Sequence, residues 1–261
     1  MEDEAFIDLV GARLAALPHV EAVTLGGSRA EGTHRPDSDW DFSLFYRGDF
    51  DPQSLRDVGW PGEVAELGGW AAVERTVFNG GAWLEVDGRR TDVHYRDLDV
   101  LDRVLAETAE GRFTTEPLWF HLAPVPSYLL LAELASRRVL AGHLPDAPYP
   151  ERLRRAAPAV WWQQAAAELD HARRSCAPAG GLTRCVGLLA RAATCAAHGV
   201  LAAQGRWVTN EKQLLGRAGL GRVDQLLAAA DPAPDALRRL ADEVEHVCLA
   251  ALRDAGADLE A

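Results

Sequence analysis

The chain has 261 residues, 48% of them hydrophobic and 25% charged, with a formal net charge of -12. That length holds one large domain or two modest ones, each with its own core, and the acidic balance disfavours a nucleic-acid surface while leaving room for a nucleotide held through metal ions. The Met-Glu-Asp-Glu start lacks the basic-then-apolar pattern of a secretory signal, and no uninterrupted apolar stretch approaches the roughly 20 residues of a membrane helix, so a cytoplasmic location is expected.

Residues 3–17 are predicted as a helix, because Ile7, Val10, Leu14 and Leu17 recur at helical spacing and Pro18 follows. The valine-rich run 20–25 reads as a strand, 26–32 as a turn into a short helix, and 33–38 as a loop around Pro36. Residues 39–46 alternate, with Asp39, Asp41 and Ser43 on one face and Trp40, Phe42 and Leu44 on the other, as in a strand packed on one side. Residues 71–78 read as a further strand, and 82–95 as a hairpin around Asp87-Gly88, a pair suited to a tight primed turn. In the second arm Arg90, Asp92 and His94 share one face.

After residue 126 strand patterns vanish. Ser127 is a candidate cap for a helix reaching about Leu140, a loop follows at 142–150, and helical runs are predicted at 151–175, 182–204, 210–218, 222–230 and 234–255. The expected fold class is α+β: a small mixed-sheet domain over 1–123, then an all-helical bundle over 124–261. Cys176, Cys185, Cys195 and Cys248 lie in the helical part without zinc-ligand spacing and are expected to be buried free thiols.

The stretch 26–45 carries the chemistry. Same-face residues on a strand stand about 6 to 7 Å apart, so Asp39 and Asp41 can flank hard cations such as Mg²⁺, which take carboxylate oxygens and leave positions for water or phosphate. Gly26 and Gly27 allow the backbone to approach a ligand closely. Ser28 and the amides after it can meet phosphate oxygens, and Arg29 is a further candidate for phosphate. Asp92, on the polar face of the hairpin arm, is the candidate third carboxylate, and His94 shares its face.

Gly27-Ser28, ten residues, then Asp39-Trp40-Asp41-Phe42 resembles the signature of the nucleotidyltransferase superfamily related to DNA polymerase beta, whose small-molecule branch includes aminoglycoside and lincosamide nucleotidyltransferases. The resemblance spans about residues 20–95. It implies that Asp39, Asp41 and Asp92 bind two Mg²⁺ ions and that Gly27 and Ser28 contact the phosphates of ATP or another nucleoside triphosphate. It implies transfer of a nucleoside monophosphate to a hydroxyl of a small acceptor, with antibiotic resistance as one setting. The acceptor is expected between the two domains, and the net charge suggests that it is cationic.

The helical half resembles the substrate domain of bacterial relatives through residues 205–212, where Asn210 is a candidate cap, and Glu211 is a candidate general base beside Glu168 and Asp170. Trp161 and Trp162 are expected in the core or at an interface. Two other readings start from the same residues: nucleotidyl transfer to a protein target, or a nucleotide-sensing front domain regulating an RNA-cleaving helical half. The second rests on Arg191 and His198, seven apart and therefore on one helix face, as in the Arg–His pair of HEPN domains.

Overall fold

The computed structural model describes residues 1–68 and 77–259. Contacts divide the chain into two units: Met1–Ala106 with Ser127–Pro148, and Glu107–Pro126 with Tyr149–Ala261. A single cut between 123 and 124 does not describe this division, because two neighbouring segments are exchanged. Residues 107–126 join the helical unit, and 127–148 return to the sheet.

The first unit is a mixed six-stranded sheet. Its elements in chain order are α1 (Asp3–Ala15), β1 (Val20–Leu25), α2 (Gly27–Ala30), β2 (Trp40–Tyr46), α3 (Gln53–Arg56), β3 (Gly62–Val64), β4 (Gly81–Val86), β5 (Arg89–Asp97), α4 (Leu98–Ala109), α5 (Leu129–Ala135) and β6 (Arg138–Ala141). The spatial order is β3-β4-β5-β2-β1-β6, with β2 and β5 parallel and every other pair antiparallel. The alternation in β2 is used at its start, where Trp40 is buried and Asp41 is not. Ser43 and Phe45 on the Asp41 face are buried too, so the strand is covered on both sides rather than on one. Trp40, Phe42 and Leu44 bury against Phe6, Ile7, Val10 and Leu14 of α1, and the Phe6 and Trp40 rings sit 4.8 Å apart. Each such side chain contributes roughly 1.5–3 kcal/mol on burial, which fixes which face of the sheet is left for polar residues. The turn between β4 and β5 has the predicted chemistry, with φ of 52° at Asp87 and 70° at Gly88.

Three expectations need correction or completion. The predicted helix from Ser127 to about Leu140 is shorter: Tyr128 is the N-cap, α5 ends at Ala135, and Arg138–Ala141 forms a strand paired with β1. The reason is tertiary, because β1 has an open edge that four extended residues satisfy, and four residues carry too little periodicity to read. Helix α4 had no assignment, and Asp97 starts it by accepting from the Asp99 amide at 2.8 Å. The strand expected at 71–78 lies, over 71–76, outside the described residues.

The second unit is helical: α6 (Glu151–His171), α7 (Leu182–Ala203), α8 (Leu214–Arg217), α9 (Arg222–Ala228) and α10 (Pro234–Asp254), with a short strand pair between Thr115–Glu116 and Val125–Pro126. Residues 192–203 of α7 are all buried, because small side chains let its neighbours approach. A Cβ on Gly199 would stand 3.2 Å from Leu252 and 3.3 Å from the Trp161 Cβ. By length and composition α7 would cross a membrane, yet 72% of its most apolar window is buried inside the protein. It is the core helix of this unit. All four cysteines are free and buried, as expected, and burial pushes the Cys195 and Cys248 thiols up to about 12.

Candidate active site

The turn after β1 is built around Asp41. The Gly26 amide donates to the Asp41 carbonyl at 2.8 Å, extending the β1–β2 ladder by one bond. Gly27 then takes φ +61°, where L side chains are strained. A Cβ at Gly27 would come within 2.8 Å of the Asp41 Cγ and nearer still to Oδ2. Two demands therefore fall on one position: a left-handed backbone and room for a carboxylate. Gly26 is the N-cap of α2, so capping is not the task of Ser28, whose carbonyl accepts from the Thr33 amide at 2.9 Å.

The parallel register of β2 and β5 sets Asp41 directly opposite Asp92, and Ser43 opposite His94. Adjacent strands lie about 4.8 Å apart, so the two aspartates are neighbours on one face. Asp39 enters just upstream of β2. Burial, and then the nearby charge of Asp39, push the Asp92 carboxyl above its ordinary range, with Arg90 opposing. One Asp39 oxygen, Oδ1, is buried without an aligned hydrogen bond, although Arg90 Nε stands 2.9 Å away as an ion pair.

As they stand, no three His, Cys, Asp or Glu side chains among the described residues are grouped to hold a metal ion. Carboxylates without a cation between them repel, and Arg90 occupies the Asp39 end. The donor set nevertheless suits a hard divalent cation. It offers only carboxylate groups, two on residues in direct register and one with a buried oxygen held by the Arg90 ion pair without an aligned hydrogen bond.

Residues 9–100, which contain all of these groups, match the family model described as a nucleotidyltransferase domain. The chain carries a nucleotidyltransferase domain. Such a domain belongs to a transferase of nucleotidyl groups. Among solved structures, a nucleotidyltransferase-like protein from Exiguobacterium sibiricum 255-15 is 11% identical, with 97% of this chain and 78% of that chain covered at a TM-score of 0.46, a likeness too loose to carry an argument. No curated protein matches.

Within the nucleotidyltransferase domain Arg29 braces a loop. Its Nη2 donates to the Ser38 carbonyl at 2.7 Å, its Nε lies 3.2 Å from the carbonyls of Ser38 and Asp39, and the guanidinium covers the Trp40 ring at 3.9 Å. It thereby holds the approach to Asp39. His94 is half-buried in β5, and desolvation, with the positive charge of Arg96, lowers it to about 4. Arg96 is itself buried and makes a two-pronged pair with Glu133 of α5, both bonds 2.7 Å. The sequence reading missed this pair, and residues 37 apart in separate elements leave no local signal.

The candidates in the helical unit are occupied. Glu211 accepts the amides of Leu122 and Ala123, each at 2.9 Å, so both of its oxygens tether that segment. A general-base role would require breaking the tether. Glu168 pairs with Arg191 at 3.0 Å and Asp170 with Arg174 at 2.7 Å. Asn210 accepts from the Lys212 amide, turning the chain ahead of α8.

His198 is stacked on the buried Trp161 at 4.6 Å and is held to about 3, by burial first and then by His121 and Arg217. A core position leaves it no access to RNA, which counts against the Arg191–His198 reading. Both histidines have depressed values, so the folded state refuses protons that the unfolded chain accepts. Stability is full above the unfolded value of about 6.5 and is lost as pH falls through about 4 for His94 and about 3 for His198. His198→Phe, which keeps the stack, is expected to flatten the fall in melting temperature between pH 6.5 and 4. An unchanged slope would remove His198 from the acid response.

Proposed function

We propose that this protein moves a nucleoside monophosphate, AMP from ATP, onto a hydroxyl of a small acceptor. The acceptor hydroxyl gives up its proton to solvent, its oxygen forms a bond to the α-phosphorus, the bond from that phosphorus to the bridging oxygen breaks, and pyrophosphate leaves. The observation that carries the reading is the direct register of Asp41 and Asp92, with Gly27 pressed against Asp41 and Asp39 entering the same face.

Asp39, Asp41 and Asp92 would hold two Mg²⁺ ions. When bound, such ions neutralise phosphate charge and lower the pKa of an attacking hydroxyl. The chain itself supplies position. The β2–β5 register fixes two carboxylates, the left-handed Gly27 brings main chain beside them, and Arg29 holds the loop that delivers Asp39. Ser28, not used as a cap, is available to the triphosphate. Catalysis of this kind rests on positioning and charge stabilisation.

The test is pyrophosphate release with Mg²⁺, screening the four triphosphates against hydroxylated amines and neutral and anionic alcohols. Release that depends on both acceptor and metal is expected. No release with any pair, together with no stabilisation by Mg²⁺–triphosphate, would overturn the reading. The acceptor class we favour is cationic and aminoglycoside-like, supported by the net charge of -12. For such an acceptor KM is expected to rise between 50 and 500 mM salt, because screening weakens steering. A flat KM, or an anionic acceptor winning the screen, would count against the cationic class and leave the transfer reading standing.

A further inference from the structure

Arg90 lies at the start of β5, two residues before Asp92. Its Nε is 2.9 Å from the buried Oδ1 of Asp39, and its Nη2 donates to the Asp37 carbonyl at 2.7 Å. The side chain is 72% exposed and borders an open cavity of about 630 Å³ lined also by Arg29, Arg89, His34 and Asp3. Two of those three arginines have other engagements. Arg89 pairs with Asp3 at 2.9 Å and covers Phe6, and Arg29 holds main-chain carbonyls. Arg90 alone of the three pairs with a carboxylate of the proposed metal site, on a flexible stem with open space beside it.

We propose that Arg90 is an internal stand-in for the cation, neutralising Asp39 until a divalent ion arrives with the triphosphate and takes its place. The inference rests on the metal-dependent reading above. A guanidinium at 2.9 Å and a metal ion compete for the negative charge of the same carboxylate oxygen, so an ion bound there weakens the Arg90 pair and favours its release. An exposed ion pair is weak and breaks readily. The consequence is an order of loading: divalent ion alone binds poorly, and the triphosphate, which adds ligands and offers Arg90 a phosphate, tips the exchange.

The experiment is Mn²⁺ binding to the nucleotide-free protein, followed by the electron paramagnetic resonance of free Mn²⁺. Arg90→Met is expected to bind Mn²⁺ about two- to fivefold more tightly than the parent, the range that releasing one exposed pair allows. Arg90→Lys, which keeps the charge, should stay within about twofold of the parent. Adding Asp39→Asn to Arg90→Met should abolish the gain. A purely structural role would give the opposite sign, since loosening the Asp37–Asp39 loop weakens binding. Equal or weaker Mn²⁺ binding by Arg90→Met overturns the stand-in while leaving nucleotidyl transfer to be judged by pyrophosphate release. No Mn²⁺ binding by any variant overturns the stand-in and the metal site together.

Discussion

Replacing Asp41 with asparagine is expected to lower nucleotidyl transfer by about a thousandfold or more, with no loss of melting temperature in the absence of divalent cations. The first half follows from chemistry. A metal ion contributes several kcal/mol to stabilising phosphoryl charge, and about 1.4 kcal/mol is a factor of ten in rate. The second half follows from crowding. Asp41 faces Asp92 across the β2–β5 register, and Asp92 is held above its ordinary range by burial and by Asp39. A raised carboxyl costs folding stability at every pH above its folded value, and neutral asparagine removes one of the like charges. Asp92→Asn should behave in the same way. Pyrophosphate release and melting in chelator give both readouts. A variant that loses activity and also melts well below the parent would mean that Asp41 serves the fold, and an active variant would remove it from the chemistry.

Gly27→Ala is expected to lose activity about a hundredfold and stability by about 1–2 kcal/mol. The stability term is the strain of a left-handed residue bearing a Cβ. The activity term has a different origin, since the new methyl group would collide with the Asp41 carboxylate and swing it from its place. Gly48 separates the two. It has φ +74° and open space where a Cβ would stand, so Gly48→Ala should share the stability loss and keep full turnover. Equal activity losses at both positions would point to general loosening and sink the specific contact.

Much of the site could be read from sequence because its parts are local. Alternation over 39–46 put Asp39 and Asp41 on one face, and Asp87-Gly88 fixed the hairpin that carries Asp92. The parallel pairing that sets Asp41 against Asp92 is long-range and left no local signal. Asp92 was a candidate through its place on the polar face of the hairpin arm, and the resemblance to a known family added its role. Arg90 was read as a strand residue and nothing more, because its partner lies across the sheet. The Arg96–Glu133 pair escaped for the same reason. Glu211 shows the converse: its place in the chain suggested catalysis, while its tether to residues 122 and 123 depends on a segment 88 positions away.

The exchange of segments between the two units has a consequence for how such a protein can be inherited. The family match ends at residue 100, yet the strand that closes the β1 edge comes from 138–141, after an excursion through the other unit. The chain crosses at 106/107, 126/127 and 148/149. No end-to-end gene fusion could lift the sheet away as an intact cassette. A fragment cut at 123 would expose the backbone of β1 to any extended chain it met, so recombination is constrained to pass both halves on together.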